Sequence, residues 1–171
     1  MDSITAISAT DIYRDLRAAG AILEWLNIAH EDAVIDLCLN SFDATLSSNE
    51  TTLEFSLGKV SAQSTLCPVG AVLNWCNFVL ESNLRDKEAL TRFCTAFAMC
   101  HPDQLQILTL HCAKSGIGAI TPPRVGQTHL FEIGMFDVIG RGDSEAAAVL
   151  DWLTAAGAHV RQPWHFLKAA A

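Results

Sequence analysis

The chain has 171 residues, a length that fits one domain, and half of them are hydrophobic, which is ample material for a core. The net charge of −8 would normally exclude a nucleic-acid-binding protein, but the excess of negative charge lies entirely in the first half. Residues 1–84 hold three basic and eleven acidic side chains, whereas residues 85–171 hold eight of each. Any surface that binds phosphate is therefore expected in the second half.

Apolar residues recur at helical spacing near the start of the chain. They predict a first helix that begins at Thr10 and a second helix over His30–Leu39. Arg14, Asp15 and Arg17 fall on the solvent-facing side of the first helix. The segment Ser41–Ser64 is polar, and the alternation of apolar and polar residues within it indicates either a short hairpin or an extended arm.

The second half of the chain continues the helical pattern. Pro68 opens a third helix, Asp86–Met99 forms a fourth, and Pro102 opens a fifth. A loop rich in glycine and proline follows, and then the short apolar segment Leu130–Ile139, which is either helix or strand. Ser144 caps a final helix. No internal repeat is expected, since nothing recurs at the spacing of known helical repeats.

These patterns predict a mainly α-helical fold, a single domain of 171 residues. Residues 10–160 would form a helical-bundle core with room for one short β-hairpin. Residues 1–9 and 161–171 would form extended N- and C-terminal arms. Trp164 and Phe166 give the second arm an apolar character, so we expect these two side chains to mediate assembly.

Neither a membrane span nor a secretory signal is expected. The apolar runs are shorter than the roughly 20 residues that cross a bilayer. The N-terminal residues include acidic side chains and no basic region, unlike a signal peptide. The six cysteines are accordingly interpreted as reduced intracellular thiols rather than a disulfide framework.

A cluster of cysteines and histidines is the candidate for metal chemistry; its members are Cys94, Cys100, His101, His111 and Cys112. Zinc sites usually take two close pairs of ligands on turns, and adjacent residues of a helix point in different directions. Structural cysteines in an apolar core are the favoured interpretation, and no metal or cofactor is expected. No nucleophile elbow or phosphate-binding glycine loop is present, so we expect no enzyme, with a Cys–His dyad as the remaining alternative.

Asp137 suggests a different kind of site. It follows Phe136 in an apolar segment, where an unpaired buried carboxylate would be costly. Arg92 on the fourth predicted helix is the natural partner. A fixed Arg–Asp pair can orient the guanidinium so that its remaining N–H groups reach a phosphate.

The stretch from Leu90 to Gly142 resembles the core of flexuous filamentous plant virus coat proteins, most closely those of trichoviruses and more distantly those of potexviruses. The resemblance covers about a third of the chain. It is carried by three ordered motifs: Phe93-Cys94-x-Ala96-Phe97-Ala98, then Pro123-x-Val125-Gly126 leading to Glu132, and finally Met135-Phe136-Asp137.

The resemblance implies a helical coat protein that binds single-stranded genomic RNA without sequence preference and self-associates into a flexible filament. The family's RNA-groove arginine and carboxylate map onto Arg92 and Asp137. Arg124, Arg141 and Lys114 are further expected phosphate contacts. The expected location is the virion and the host cell cytoplasm. The alternative is a soluble acidic helical interaction protein, of the chaperone, regulator or immunity type, with a protein partner.

Overall fold

The computed structural model describes residues 9–65, 67–126, 130–161 and residue 164. The chain divides into two compact units, Met1–Asn83 and Leu84–Ala171. No helix in the described ranges is both long enough and apolar enough to cross a membrane.

The first unit contains three helices and one sheet in its described part. In chain order these are α1 (Ala9–Ile28), α2 (Glu31–Ser41), β1 (Thr45–Ser48), β2 (Leu53–Leu57), β3 (Val60–Ser64) and α3 (Pro68–Asn83). The strands form an antiparallel meander in the order β1-β2-β3. Helix α3 packs on the sheet and also contacts α1 and α2.

The second unit has the same sequence of elements. They are α4 (Ala89–Phe97), α5 (Pro102–Lys114), β4 (Ala119–Thr121), β5 (Phe131–Met135), β6 (Val138–Gly142) and α6 (Glu145–His159). The strands again form an antiparallel meander, β4-β5-β6, and α6 packs on it and against α4 and α5.

The prediction of a mainly α-helical bundle with at most one hairpin is wrong, because each unit contains a three-stranded antiparallel sheet. The segment Ser41–Ser64 holds the whole first sheet rather than an arm. The ambiguous segment Leu130–Ile139 holds β5 and the start of β6, and the glycine- and proline-rich loop holds β4. The predicted core over residues 10–160 is thus a mixed α/β structure divided at Asn83–Leu84.

The two units form an internal repeat, which the sequence analysis did not predict. The order of elements is the same, and the sheet registers place Phe55 opposite Ala62 in one unit and Ile133 opposite Gly140 in the other. Several short motifs coincide when the units are aligned on these elements. The matches are Arg14-Asp15 with Arg85-Asp86, His30-x-Asp32 with His101-x-Asp103, and Ala71-Val72-Leu73-x-Trp75 with Ala148-Val149-Leu150-x-Trp152.

Equivalent tryptophans join the last helix of each unit to its hairpin. Trp75 and Trp152 are fully buried. The Trp75 Nε1–H donates to the carbonyl of Val60 at 3.2 Å, and the Trp152 Nε1–H donates to the carbonyl of Met135 at 3.4 Å. Both bonds end beside the turn of the hairpin, so each satisfies the indole N–H while its ring fills the core.

In both units the last strand lies close to the last helix, but the glycine that allows this contact is on the helix in one unit and on the strand in the other. In the first unit, a Cβ on Gly70 of α3 would lie 2.7 Å from Oγ of Ser64 on β3. In the second unit the small residue is on the strand instead. A Cβ on Gly142 of β6 would lie 2.5 Å from Cβ of Ala147 on α6. Each pair thus contains one glycine and one side chain, as close packing at a shared contact requires.

The helix caps also correspond. The His30 and His101 side chains accept hydrogen bonds from the backbone N–H groups of Asp32 and Asp103 at the starts of α2 and α5. At the start of α6, Oγ of Ser144 accepts from the N–H of Ala147 at 3.1 Å. At the start of α3 the corresponding acceptor is a thiol, since Sγ of Cys67 lies 3.3 Å from the N–H of Gly70. These side chains satisfy N–H groups that the first helical turn leaves without partners.

Candidate functional site

Arg92 and Asp137 do not form the predicted ion pair. Arg92 Nη1 lies 3.0 Å from Oδ2 of Asp86. Asp137 is exposed at the β5–β6 turn and makes no ion pair with a described residue. The premise for the pair, that Asp137 is buried in an apolar segment, is wrong because the hairpin turn leaves its carboxylate in water.

The other predicted phosphate contacts are mostly paired within the second unit. Lys114 Nζ lies 3.4 Å from Oε2 of Glu145, and Arg141 Nε lies 2.8 Å from Oε2 of Glu132. Arg124 is exposed in the loop between β4 and β5 and has no ion pair with a described residue. Of the four predicted cations, three therefore already have a carboxylate beside them.

The two predicted assembly residues have different outcomes. Trp164 is only 1 % exposed. Its Nε1–H donates to the carbonyl of Leu153 at 2.6 Å, and its ring meets the edge of Phe93 at a centroid distance of 6.2 Å. Trp164 thus belongs to the core of the second unit rather than to an exposed arm. Phe166 lies outside the described residues, as do residues 1–8 and the rest of 165–171.

Four of the six cysteines are buried, and burial suppresses their chemistry. Burial raises the pKa of Cys38 to about 11 and the pKa values of Cys94 and Cys112 to about 12, and it raises that of Cys76 as well. These thiols stay protonated at neutral pH, whereas a nucleophilic or metal-binding cysteine needs the thiolate. In the described ranges, no three His, Cys, Asp or Glu side chains are grouped as metal ligands.

A cleft of about 940 Å³ lies in the first unit. It is formed by α1, the C-terminal end of α2 with the residues that follow it, and the turn between β2 and β3. We call it the arginine cleft. The described residues that line it are Arg14, Arg17, Ala18, Ala21, Asn40, Ser41, Phe42, Asp43, Leu57 and Gly58.

Two of the three basic side chains of the first unit line this cleft, and the third is next in sequence to a lining residue. Arg14 and Arg17 line it, and Lys59 follows Gly58 in the β2–β3 turn. The unit has eleven acidic residues and only these three basic ones. Helical periodicity assigned the arginines to the solvent-facing side of α1; the scarcity of basic residues in residues 1–84 is the signal that could have marked them.

Arg14 is held by carboxylates on its own helix. Its guanidinium lies 3.3 Å from Asp11 and 3.2 Å from Asp15. Asp15 is buried, and this burial raises the pKa of its carboxyl although the Arg14 hydrogen bond and charge act in the opposite direction. Lys59 forms a further ion pair with Asp11 at 3.2 Å. The contacts with Asp11 and Asp15 hold Arg14 in place beside the cleft. The burial of Asp15 also means that its predicted position on the solvent-facing side of α1 is wrong.

Gly58 allows the hairpin turn to lie close to Arg14 and Asp15. Its φ of +62° is a left-handed conformation that glycine adopts without steric cost. A Cβ at this position would lie 2.8 Å from Nη2 of Arg14 and 3.2 Å from Oδ1 of Asp15. The turn therefore lies directly against the Arg14–Asp15 pair.

Arg17 is differently placed. Its guanidinium carbon lies 5.9 Å from the centre of the Tyr13 ring, one turn earlier on α1. It forms no ion pair with a described residue. Asn40 and Ser41, at the end of α2, add amide and hydroxyl groups to the same cleft. Arg17 is thus an exposed cation whose N–H groups are available to a ligand.

The comparison with family models gives no match, and neither curated proteins nor solved structures yield a similar chain.

Proposed function

We propose that this chain is a non-catalytic binding protein whose first unit captures a small organic anion in the arginine cleft. The observation that carries the proposal is that two of the three basic side chains of a strongly acidic unit line one cleft, and that one of them, Arg17, has no ion pair with a described residue. A guanidinium without a carboxylate partner is a strong site for a carboxylate or a phosphate group. Arg17 fills that role.

The size and lining of the cleft agree with a small ligand. Small-molecule sites enclose roughly 300–1,000 Å³ and combine apolar walls with a few polar groups. The arginine cleft has about 940 Å³, apolar walls from Ala21 and Leu57, and polar groups from Asn40 and Ser41. None of its described lining residues is a histidine, so Ser41 lacks the imidazole that usually activates a serine hydroxyl.

The charge of the whole chain favours a small anion over RNA. A net charge of −8 repels a polyanion at long range. The contacts with RNA predicted at Arg92, Lys114 and Arg141 would also have to displace carboxylates that are already paired with these cations. A ligand with a single anionic group is repelled far less and needs only the short-range contact with Arg17.

The proposal is tested by titrating the protein with benzoate and with phenyl phosphate, followed by amide and arginine side-chain NMR. We expect saturable shifts at Arg17, Ser41 and Leu57. Arg17→Gln should weaken binding about tenfold or more, because a hydrogen bond to a charged group is lost. Ala21→Leu should also weaken it by narrowing the cleft without changing any charge.

Arg141→Gln is the matched control, since it removes a cation of the second unit and should leave affinity unchanged. If neither anion perturbs the cleft at millimolar concentration, the proposal is wrong. A single-stranded RNA oligonucleotide forms the last arm of the test. Salt-sensitive RNA binding with filaments in negative-stain micrographs would favour the coat-protein hypothesis instead.

A further inference from the structure

The arginine cleft contains an acidic group as well as a basic one, and neither has an ion pair with a described residue. Arg17 and Asp43 both line the cleft. Arg14, the other lining cation, differs from them because Asp11 and Asp15 already neutralise it. A ligand in the cleft therefore meets one available positive charge and one available negative charge.

Asp43 is held in position by the backbone. Its φ of +53° is left-handed, a conformation that Asp and Asn adopt more readily than other residues with side chains. Ala44, which follows it, is buried, and Phe42, which precedes it, donates its backbone N–H to the carbonyl of Cys38. The backbone of Asp43 is thus fixed at the corner between α2 and β1.

The walls near these charges are apolar and partly aromatic. Phe42 lines the cleft, and its ring stacks on Trp25 with centroids 5.3 Å apart and an interplanar angle of 23°. The stack holds the Phe42 ring in place beside the cleft. Ala18, Ala21 and Leu57 complete the apolar lining.

Building on the proposed function, we infer that the ligand is a small zwitterion with an apolar or aromatic body, such as an aromatic amino acid. Arg17 binds its carboxylate, Asp43 binds its ammonium group, and Phe42 contacts the body. A plain anion would leave Asp43 facing it without compensation, and a plain cation would leave Arg17 in the same position. A zwitterion satisfies both groups.

Three ligands of nearly equal shape test this inference. Phenylalanine has both charged groups, 3-phenylpropanoate lacks the ammonium group, and phenethylamine lacks the carboxylate. Isothermal titration of the full chain should give phenylalanine an affinity about tenfold higher than that of either analogue, the effect of one further charge-assisted hydrogen bond.

Substitution of Asp43 gives the sharper result, because the direction of the change in affinity should depend on the ligand. Asp43→Asn keeps a residue that tolerates the left-handed backbone and removes the charge. It should weaken phenylalanine binding about tenfold while leaving 3-phenylpropanoate binding unchanged or tighter. Arg17→Gln should weaken both. Unchanged thermal unfolding of both variants would show that the fold is intact.

The outcomes separate this inference from the proposed function. If 3-phenylpropanoate binds as tightly as phenylalanine and Asp43→Asn affects both equally, the ligand is a plain anion. The zwitterion inference is then overturned while the proposed function stands. If neither phenylalanine nor 3-phenylpropanoate binds, both are overturned.

Discussion

The two hairpin turns occupy the same place in their units but do different things. In the first unit the turn is Gly58-Lys59, and it forms one wall of the arginine cleft. In the second it is Phe136-Asp137, with φ of +53° and +62°. The Phe136 ring packs near Phe93 and Trp152, at centroid distances of 5.8 and 6.1 Å. One turn thus borders a polar cleft, whereas the other extends an aromatic core.

The charges at these matched positions also differ. Lys59 corresponds to Asp137 in the turn, and Arg17 corresponds to Glu88 at the start of α4. Arg14 keeps its counterpart, Arg85. The repeat therefore preserves the residues that build the fold. Two of the three basic residues of the first unit, however, are replaced by acidic residues in the second. This contrast suggests that anion binding belongs to the first unit alone, and the following experiments test how far the two units are equivalent.

The largest effect is expected at Gly140 on β6. A Cβ there would lie 2.3 Å from the backbone N of Trp152 and 2.5 Å from the carbonyl O of Ala148. Because backbone atoms of α6 cannot move aside cheaply, Gly140→Ala should lower the free energy of unfolding by about 3 kcal/mol, the upper range for overpacking. The matched residue in the first unit is Ala62, and Ala62→Gly should cost only about 0.5–1 kcal/mol.

Urea unfolding of both variants measures this difference. Equal small losses would mean that the helix lies at the same distance from the sheet in both units. They would contradict the closer approach of α6 that Gly140 allows.

Several helix starts in this fold could be predicted from the sequence, whereas most of the strands could not. Pro68, Pro102 and Ser144 are confirmed as starting or capping residues of α3, α5 and α6, because proline and serine act locally. The second sheet was not predicted. Its strands are only three to five residues long, and such short apolar segments do not separate helix from strand by periodicity.

The repeat and the cleft were not predicted for a different reason. The matched residues are few, and their spacing changes between the second helix of each unit and its sheet, so no fixed period recurs. The cleft depends on the Gly58 turn lying against Arg14, which is distant in sequence. Helical periodicity places Arg14 on the outer side of α1 but contains no information about which turn covers it.

A smaller effect on stability is expected at the contact between Gly70 and Ser64, where the second unit has Ala147 and Gly142. Gly70→Ala should be destabilising because the new Cβ would crowd Oγ of Ser64. Adding Ser64→Gly recreates the arrangement of Gly142 and Ala147. The double variant should be about 1 kcal/mol more stable than the sum of the single effects, as residues in direct contact couple. The 3.1 Å contact between the new Cβ and Cys67 Sγ is common to both chains that carry Gly70→Ala, and it cancels in this comparison.

Chemical denaturation of the four chains of this cycle gives the coupling energy. If the effects of the two substitutions on the free energy of unfolding were strictly additive, Ser64 would be free to move away from the new Cβ. The position of the glycine would then make no difference to stability.

The helix caps should give a still smaller difference. Ser144→Ala removes the acceptor for the Ala147 N–H and should cost about 1 kcal/mol. Cys67→Ala removes a weaker sulfur acceptor for the Gly70 N–H and should cost less. Hydrogen exchange at the first turns of α6 and α3 would locate the effect; a larger loss at Cys67 than at Ser144 would refute this order.

The smallest effect concerns the matched carboxyls Asp15 and Asp86, whose pKa values shift in opposite directions. Burial raises the pKa of Asp15 above its ordinary value of 3.8, whereas the hydrogen bond from Arg92 lowers that of Asp86. Asp15 thus contributes stability that is fully present below its unfolded-state pKa and is lost as pH rises through its folded-state pKa. Asp86 contributes stability that is present above its unfolded-state pKa and is lost as pH falls through its folded-state pKa.

Carboxyl-carbon NMR titration should therefore give a midpoint above 3.8 for Asp15 and below 3.8 for Asp86. Asp15→Asn and Asp86→Asn should each remove one of the two opposing contributions from the pH dependence of unfolding. Shifts in the same direction would mean that the Asp15 carboxyl is as exposed as the Asp86 carboxyl. The burial of Asp15 beside Arg14, which distinguishes the first unit from the second at this position, would then be contradicted.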